Sequence, residues 1–194
     1  MNTKVFSFKN VQLVILKVDE WKDKFPQKLN SKKNESSKRT IEKGGVQFLL
    51  STYLPEHTLN YNSNGKPFLE KGGFVSISHS KSLIGLAWSF DYNIGIDIEE
   101  IHERILKVEQ RFIHEDEIKY CVTIKDKIKL WSIKEALIKI YDNKTFNLKN
   151  DLFVKKINSK KWIGFISNNP SEIHEFSTFE FDNNIICLNT QSEE

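Results

Sequence analysis

From Val5 to Val18 the chain alternates and then runs apolar (VFSFKNVQLVILKV), which predicts one or two strands. Lys22 to Lys43 is rich in Lys, Ser and Asn and reads as a loop leading into a helix. Ser36 or Ser37 is placed to cap that helix, with Glu42 in its early turns. Val46, Leu49, Leu50 and Tyr53 recur at helical spacing, and Pro55 ends the segment. The pair Gly44-Gly45 weakens this helix and marks a close backbone approach.

A strand-rich block follows. Asn62-Ser63-Asn64-Gly65 is a turn, and Lys66 to Glu70 is a short strand whose Pro67 suits an edge. Gly72-Gly73 turns the chain into FVSISHS, Phe74 to Ser80. Leu83 to Phe90 and Ile94 to Glu99 are two more strands, separated by a turn at Asp91-Tyr92-Asn93. Three helices are expected next: Glu103 to Phe112, His114 to Val122, and Ile128 to Tyr141. The tail returns to strands at Leu152 to Ile157, Trp162 to Ser167, Ile173 to Phe181 and Ile185 to Leu188. Runs of like elements predict an α+β fold rather than a doubly wound sheet. Residues 1–94 and 95–194 each read as a helical segment with antiparallel strands, hence two similar halves sharing one compact unit, without a clean sequence repeat.

Composition narrows the class. With 39% hydrophobic and 28% charged residues, and 14 Phe and 4 Trp among 194 residues, the chain has the material for a globular core. A net charge of +3 is too mild for a nucleic-acid surface but permits an acidic partner. The two cysteines, Cys121 and Cys187, are too few for a disulfide framework and read as isolated thiols. MNTKVFSFKN lacks the apolar stretch of a secretion signal, and no run is long enough to span a membrane, so a reducing cytoplasm is the expected setting.

Four short motifs carry candidate chemistry. In GIDIE (Gly95 to Glu99), strand alternation puts Asp97 and Glu99 on one face and Ile94, Ile96 and Ile98 on the other. Two neighbouring carboxylates repel unless a cation lies between them, and Mg²⁺ suits such oxygen ligands; the bland alternative is an acidic strand end facing water. In WSIKEALIK (Trp131 to Lys139), Trp131, Glu135 and Lys139 share a helix face at i, i+4 spacing. That face supplies either a third carboxylate with a phosphate-binding cation or a plain Glu135–Lys139 ion pair. Lys134 falls on a different part of the helix surface. SISHS (Ser76 to Ser80) offers Ser78, His79 and Ser80 as donors at a strand end. NGKPF (Asn64 to Phe68) offers Lys66 as a point charge for phosphate, or simply as a turn lysine.

The order GKP, SISHS, GIDIE and WSxKEAxxK, from Gly65 to Tyr141, resembles the 4′-phosphopantetheinyl transferases, in particular their larger two-half class. A fainter match covers Lys38 to Tyr53, and RFIHEDE (Arg111 to Glu117) is similar to the family's segment between the two strong motifs. The resemblance implies transfer of phosphopantetheine from coenzyme A to a serine of an apo acyl or peptidyl carrier protein, releasing 3′,5′-ADP. It implies a pseudo-twofold monomer with the metal and coenzyme A site at the junction of the halves. Asp97, Glu99 and Glu135 would then be the Mg²⁺ ligands, with Asp97, Glu135 and Lys139 the catalytic set. Coenzyme A would be held by Lys139, Ser78 and His79 at its phosphates and by Gly65, Lys66 and Pro67 along its nucleotide, with Lys134 supporting the site. Either Glu135 or a water on the metal is placed to take the serine proton.

Two positions depart from the family. Many members carry an Arg two residues before a Leu-Leu pair in the first helix; here Gln47 stands there, with Lys38, Arg39 and Lys43 as candidate replacements for its charge. A Gly often follows the KEAxxK helix, where this chain has Tyr141-Asp142-Asn143. Two other functions are compatible with parts of the pattern. Gln47 keeps open a non-catalytic coenzyme A or carrier-binding module. A metal-dependent phosphodiesterase or nuclease shares the strand carboxylates, but such sites place a Lys two residues beyond them, where this chain has Ile101. The expected carrier-facing surface is the segment from Arg104 to Lys129, with Arg111, Lys119, Lys125, Lys127 and Lys129 among apolar residues.

Overall fold

The structure, a computed structural model, describes residues 3–24 and 36–190. It is α+β with antiparallel sheets, in two compact units, Met1–Tyr92 and Asn93–Glu194.

In the first unit, β1 (Lys4–Phe8), β2 (Val11–Lys17), β5 (Phe74–His79) and β6 (Leu83–Ser89) form a sheet in the order β1-β2-β6-β5. Helices α1 (Val18–Lys24) and α2 (Ser36–Tyr53) pack with it, and β3 (Leu59–Tyr61) pairs with β4 (Pro67–Leu69) in a separate ribbon. Val46, Leu49 and Leu50 of α2 share one core with Val14 and Leu16 of β2 and Ile84 and Leu86 of β6. The alternate residues Leu13, Ile15, Leu83 and Ala87 are buried as well, so the two central strands read as apolar runs rather than alternating ones. The two glycines of α2 mark close approaches: a Cβ at Gly44 would stand 2.6 Å from the Trp21 ring, and one at Gly45 would strike Ile84. Helix α1 and strand β3 are additions to the sequence reading. Their short, mostly polar segments carry too few apolar residues for periodicity to mark them. The expected loop before α2 lies largely outside the described residues, as do the side chains of Ser36 and Ser37.

In the second unit, β7 (Ile96–Glu100), β8 (Leu152–Lys156), β9 (Lys161–Ile166), β10 (Asn169–Phe181) and β11 (Asn184–Asn189) form a sheet in the order β7-β11-β10-β9-β8. One long helix, α3 (Ile124–Tyr141), lies on it. Leu130, Ile133, Ala136, Leu137 and Ile140 share a core with Leu152, Val154, Trp162, Phe176 and Cys187. The helix starts four residues before the expected Ile128, because Thr123 and Asp126 form a capping box. Thr123 Oγ1 accepts from the Asp126 amide at 3.1 Å, and Asp126 Oδ2 accepts from the Thr123 amide at 3.1 Å. Asp142 ends the helix in the left-handed region at φ 53°, doing the work of the glycine the family often has there.

The two helices expected at 103–112 and 114–122 are instead short 3₁₀ turns, Glu103–Lys107, Glu109–Arg111 and Glu115–Tyr120. The first two turns bury none of their own residues fully and the third buries only Glu117; the segment's main anchor in the core is Phe112, just after the second turn, with Ile105 and Val108 partly buried beside it. His102 and His114 cap the starts of the first and third turns, their Nδ1 atoms accepting from the Arg104 and Asp116 amides.

The entry to β7 is pinned to the end of α3. A Cβ at Gly95 would collide with the Ala136 carbonyl oxygen and lie 3.0 Å from Ile140 Cγ1. Asn189 Oδ1 accepts from the Gly95 amide at 2.6 Å, while Asn93 Nδ2 donates to the Ile140 carbonyl at 2.6 Å. Gly95→Ala therefore pushes backbone against backbone and should cost about 1–3 kcal/mol of stability. Urea unfolding checks this: a midpoint equal to that of the wild type would contradict the close approach.

Candidate metal and phosphate site

Strand register decides which way the β7 carboxylates point. Asp97 pairs with Cys187 and Glu99 with Ile185. Cys187 belongs to the core beneath α3, so Asp97 and Glu99 lie on the side of the strand that faces that helix. Hydrogen bonds agree. Trp131 Nε1 donates to Glu99 Oε1 at 2.9 Å, and Lys139 Nζ donates to Asp97 Oδ1 at 3.0 Å and to the Ile96 carbonyl at 2.7 Å. Trp131 is held edge-on against the buried ring of Phe112, centroids 5.2 Å apart. The helix row Trp131, Glu135, Lys139 thus faces the strand row Asp97, Glu99. The alternative Glu135–Lys139 surface pair gives way to an ion pair between Lys139 and Asp97.

The electrostatics follow from that gathering. Glu99 is pushed up to about 7 by burial first and the Asp97 charge second; the Trp131 hydrogen bond opposes this, Glu135 adds to it and Lys139 counters it. Burial and then Asp97 also raise Glu135, against Lys139. Glu99 and Glu135, both raised by burial and by the Asp97 charge, form with Asp97 a set of oxygen donors whose crowding a hard divalent cation relieves. The residues present therefore fit Mg²⁺ in the chemistry of their oxygens. Among the described residues no three His, Cys, Asp or Glu side chains stand together so that they could hold a metal ion as placed; on Asp97 the ammonium of Lys139 supplies the positive charge.

Lys134 is placed differently from the surface position expected. It is fully buried, and its Nζ donates to Glu117 Oε2 at 2.6 Å and to the Phe112 carbonyl at 2.7 Å. Sequence reasoning missed Glu117 because it stood in a stretch taken for an exposed helix. The RFIHEDE likeness was the one available signal.

The other expected ligand residues belong to the first unit. Asn62 organises the NGKP turn: its carbonyl accepts from the Gly65 amide at 2.9 Å and its Oδ1 from the Lys66 amide at 2.9 Å, with Gly65 at φ 82°. Ser78 is buried on β5, His79 is exposed at its end, and Ser80 Oγ accepts from the Leu83 amide at 3.2 Å to shape the turn. His79 Nδ1 lies 3.2 Å from Glu42 of α2. Arg39, Lys43 and Gln47 are exposed on α2 at spacings of four, so they form one row.

On the segment expected to meet a carrier, three lysines have internal partners: Lys125 with Glu180, Lys127 with Glu109, and Lys129 with the Ser159 carbonyl. Apolar side chains are more exposed there than the sequence suggested, with Ile118 at 62% and Val122 at 81%. Beside them, Ile101, His102, Glu103, Thr123, Ile124 and Lys125 line an open hollow of about 430 Å³.

A sequence profile described as the 4′-phosphopantetheinyl transferase superfamily matches residues 93–186. The match falls within the second unit and covers just under half of the chain. The matched stretch contains GIDIE, RFIHEDE and WSIKEALIK, and so spans the strand row and the helix row just described. The chain is also 29% identical over 137 residues to the 4′-phosphopantetheinyl transferase gsp of Aneurinibacillus migulanus. That alignment covers 66% of this chain and 57% of the relative. No helix among the described residues is long and apolar enough to cross a membrane.

Glu99 sets a pH dependence with a definite sign. Between about 4.5 and about 7 the folded protein keeps a proton that the unfolded chain has released, so stability falls as pH rises through that window. Glu99→Gln should flatten the fall and, free of divalent cations, be more stable than the wild type at about pH 8. Urea midpoints at about pH 5 and about pH 8 test this; parallel profiles for the two proteins would refute it.

Proposed function

We propose that the protein transfers the 4′-phosphopantetheine group of coenzyme A to a serine of an apo acyl or peptidyl carrier protein, releasing 3′,5′-ADP. The observation that carries the proposal is the meeting of Asp97 and Glu99 on β7 with Trp131, Glu135 and Lys139 on α3. The profile match over residues 93–186 and the likeness to the named relative support the reaction class.

In this reading Asp97, Glu99 and Glu135 hold Mg²⁺, which neutralises charge on the pyrophosphate oxygens of coenzyme A when bound. The serine oxygen forms a bond to the β-phosphorus as the bond to 3′,5′-ADP breaks. Lys139, fixed on the Ile96 carbonyl and Asp97, adds a positive charge where negative charge develops. Glu135, which neither Trp131 nor Lys139 engages by hydrogen bond, takes the serine proton. Trp131 orients Glu99 and excludes water from its Oε1.

Coenzyme A is assigned Lys66 with Gly65 and Pro67 along the nucleotide, and Ser78 and His79 at the phosphates. Gln47 lacks the charge of the family's arginine, and Arg39 and Lys43, in its own row on α2, supply it. The reading carries with it the pseudo-twofold monomer of the two-half class, acting in the cytoplasm on a carrier and not on nucleic acid. The carrier meets the hollow beyond β7 together with Ile118 and Val122.

Mass spectrometry tests the reaction. An apo carrier incubated with the protein, Mg²⁺ and coenzyme A should gain one phosphopantetheine, and Asp97→Ala or Glu135→Ala should slow this by roughly 100-fold or more. Tight coenzyme A binding without transfer to any carrier from the same organism would favour a binding module instead. For the docking surface, Val122→Glu should raise KM for the carrier by about tenfold or more and leave the affinity for coenzyme A unchanged. Equal loss of both would count against that assignment.

A further inference from the structure

The ion pair between Lys134 and Glu117 is 0% and 2% exposed, and no part of the proposed reaction uses it. Each of its hydrogen bonds reaches a different part of the second unit. Glu117 Oε2 accepts from Lys134 Nζ at 2.6 Å and from the His114 amide at 2.8 Å. Glu117 Oε1 accepts from the Val154 amide of β8 at 2.8 Å. Lys134 Nζ also donates to the Phe112 carbonyl at 2.7 Å. The pair therefore ties α3 to β8 and to the irregular segment between β7 and α3.

Its place on the helix gives these bonds a second consequence. Lys134 precedes Glu135 by one residue, and successive helix residues differ by about 100° around the axis. Fixing Lys134 toward Glu117 thus fixes the direction in which Glu135 leaves the helix. The same rotation sets Trp131 and Lys139, which share the Glu135 face. Turning or sliding α3 would strip a buried ammonium and a buried carboxylate of their partners, so the helix has one favoured azimuth. Apolar side chains of similar volume would fill the space but would not select that azimuth, as with buried polar residues that set register in coiled coils. Phe112 adds a link, since its carbonyl holds Lys134 while its ring packs against Trp131.

We propose that Lys134 and Glu117 are positioning residues: their buried pairing indexes α3 so that Trp131, Glu135 and Lys139 face Asp97 and Glu99. Lys134 then acts through the helix rather than on coenzyme A. The proposal rests on the carboxylate site being the working site, but its geometric part has its own readout, the indole N–H of Trp131 on Glu99.

The test compares the wild type with Glu117→Gln and with the double variant Lys134→Met, Glu117→Leu. Three quantities are read: urea stability, the Trp131 indole ¹H–¹⁵N resonance (assigned with Trp131→Phe), and Mn²⁺ binding by paramagnetic resonance. The double variant should lose stability, because the His114 and Val154 amides and the Phe112 carbonyl are left without these partners; while folded it should also shift or broaden the indole resonance and bind Mn²⁺ at least about tenfold more weakly. Normal Mn²⁺ affinity with an unmoved resonance in the folded double variant would overturn the proposal. If that variant does not fold, Glu117→Gln decides. It should move the resonance and weaken Mn²⁺ binding; lowered stability with both readouts unchanged overturns the positioning role. Failure of the wild type to bind Mn²⁺ would sink the metal reading alone, and the indole resonance would then judge the pair.

Discussion

The close approach of β7 to α3 is the constraint on which the second unit turns. Gly95 has no side chain, so the strand enters beside the Ala136 backbone at a distance any Cβ would forbid. From there each residue along β7 meets α3 in step: Ile96 and Asp97 reach Lys139, and Glu99 reaches Trp131. The asparagines at 93 and 189 lock the entrance by satisfying the Ile140 carbonyl and the Gly95 amide. The carboxylate row on the strand and the Trp131–Glu135–Lys139 row on the helix meet because a glycine and two side-chain amides set the spacing.

That spacing gathers like charges where water is scarce. The stabilising terms lie elsewhere, in the core of Leu130, Ile133, Leu137, Trp162 and Phe176 under the helix. The carboxylates work against folding, as the raised proton affinities of Glu99 and Glu135 record. A protein that keeps such a cluster gains something from a cation placed there. This is the physical link between fold and proposed reaction, in which the same cation meets the oxygens of a pyrophosphate.

Much of this was legible in the residues. Alternation put Asp97 and Glu99 on one face, and the spacing of four put Trp131, Glu135 and Lys139 on another; the ordered motifs led to the superfamily. What was not legible depends on contacts distant in sequence. Lys134 looks like any helix lysine, and only the fold brings it to Glu117. The 103–122 stretch has helical periodicity, but it folds as short 3₁₀ turns that bury Phe112 fully and Ile105, Val108 and Ile113 partly against the core. Asn189 stands 94 residues from the amide it satisfies. The Thr123–Asp126 capping box, by contrast, is visible in the sequence and starts α3 four residues before the apolar spacing alone does.

The central claim is that Asp97, Glu99 and Glu135 act as one cation site. Anomalous diffraction from crystals soaked in Mn²⁺ with coenzyme A tests it most directly. A single cation site would give an anomalous peak bounded by oxygens of all three carboxylates and of the pyrophosphate. A peak elsewhere, or coenzyme A bound with no metal at these residues, would contradict it.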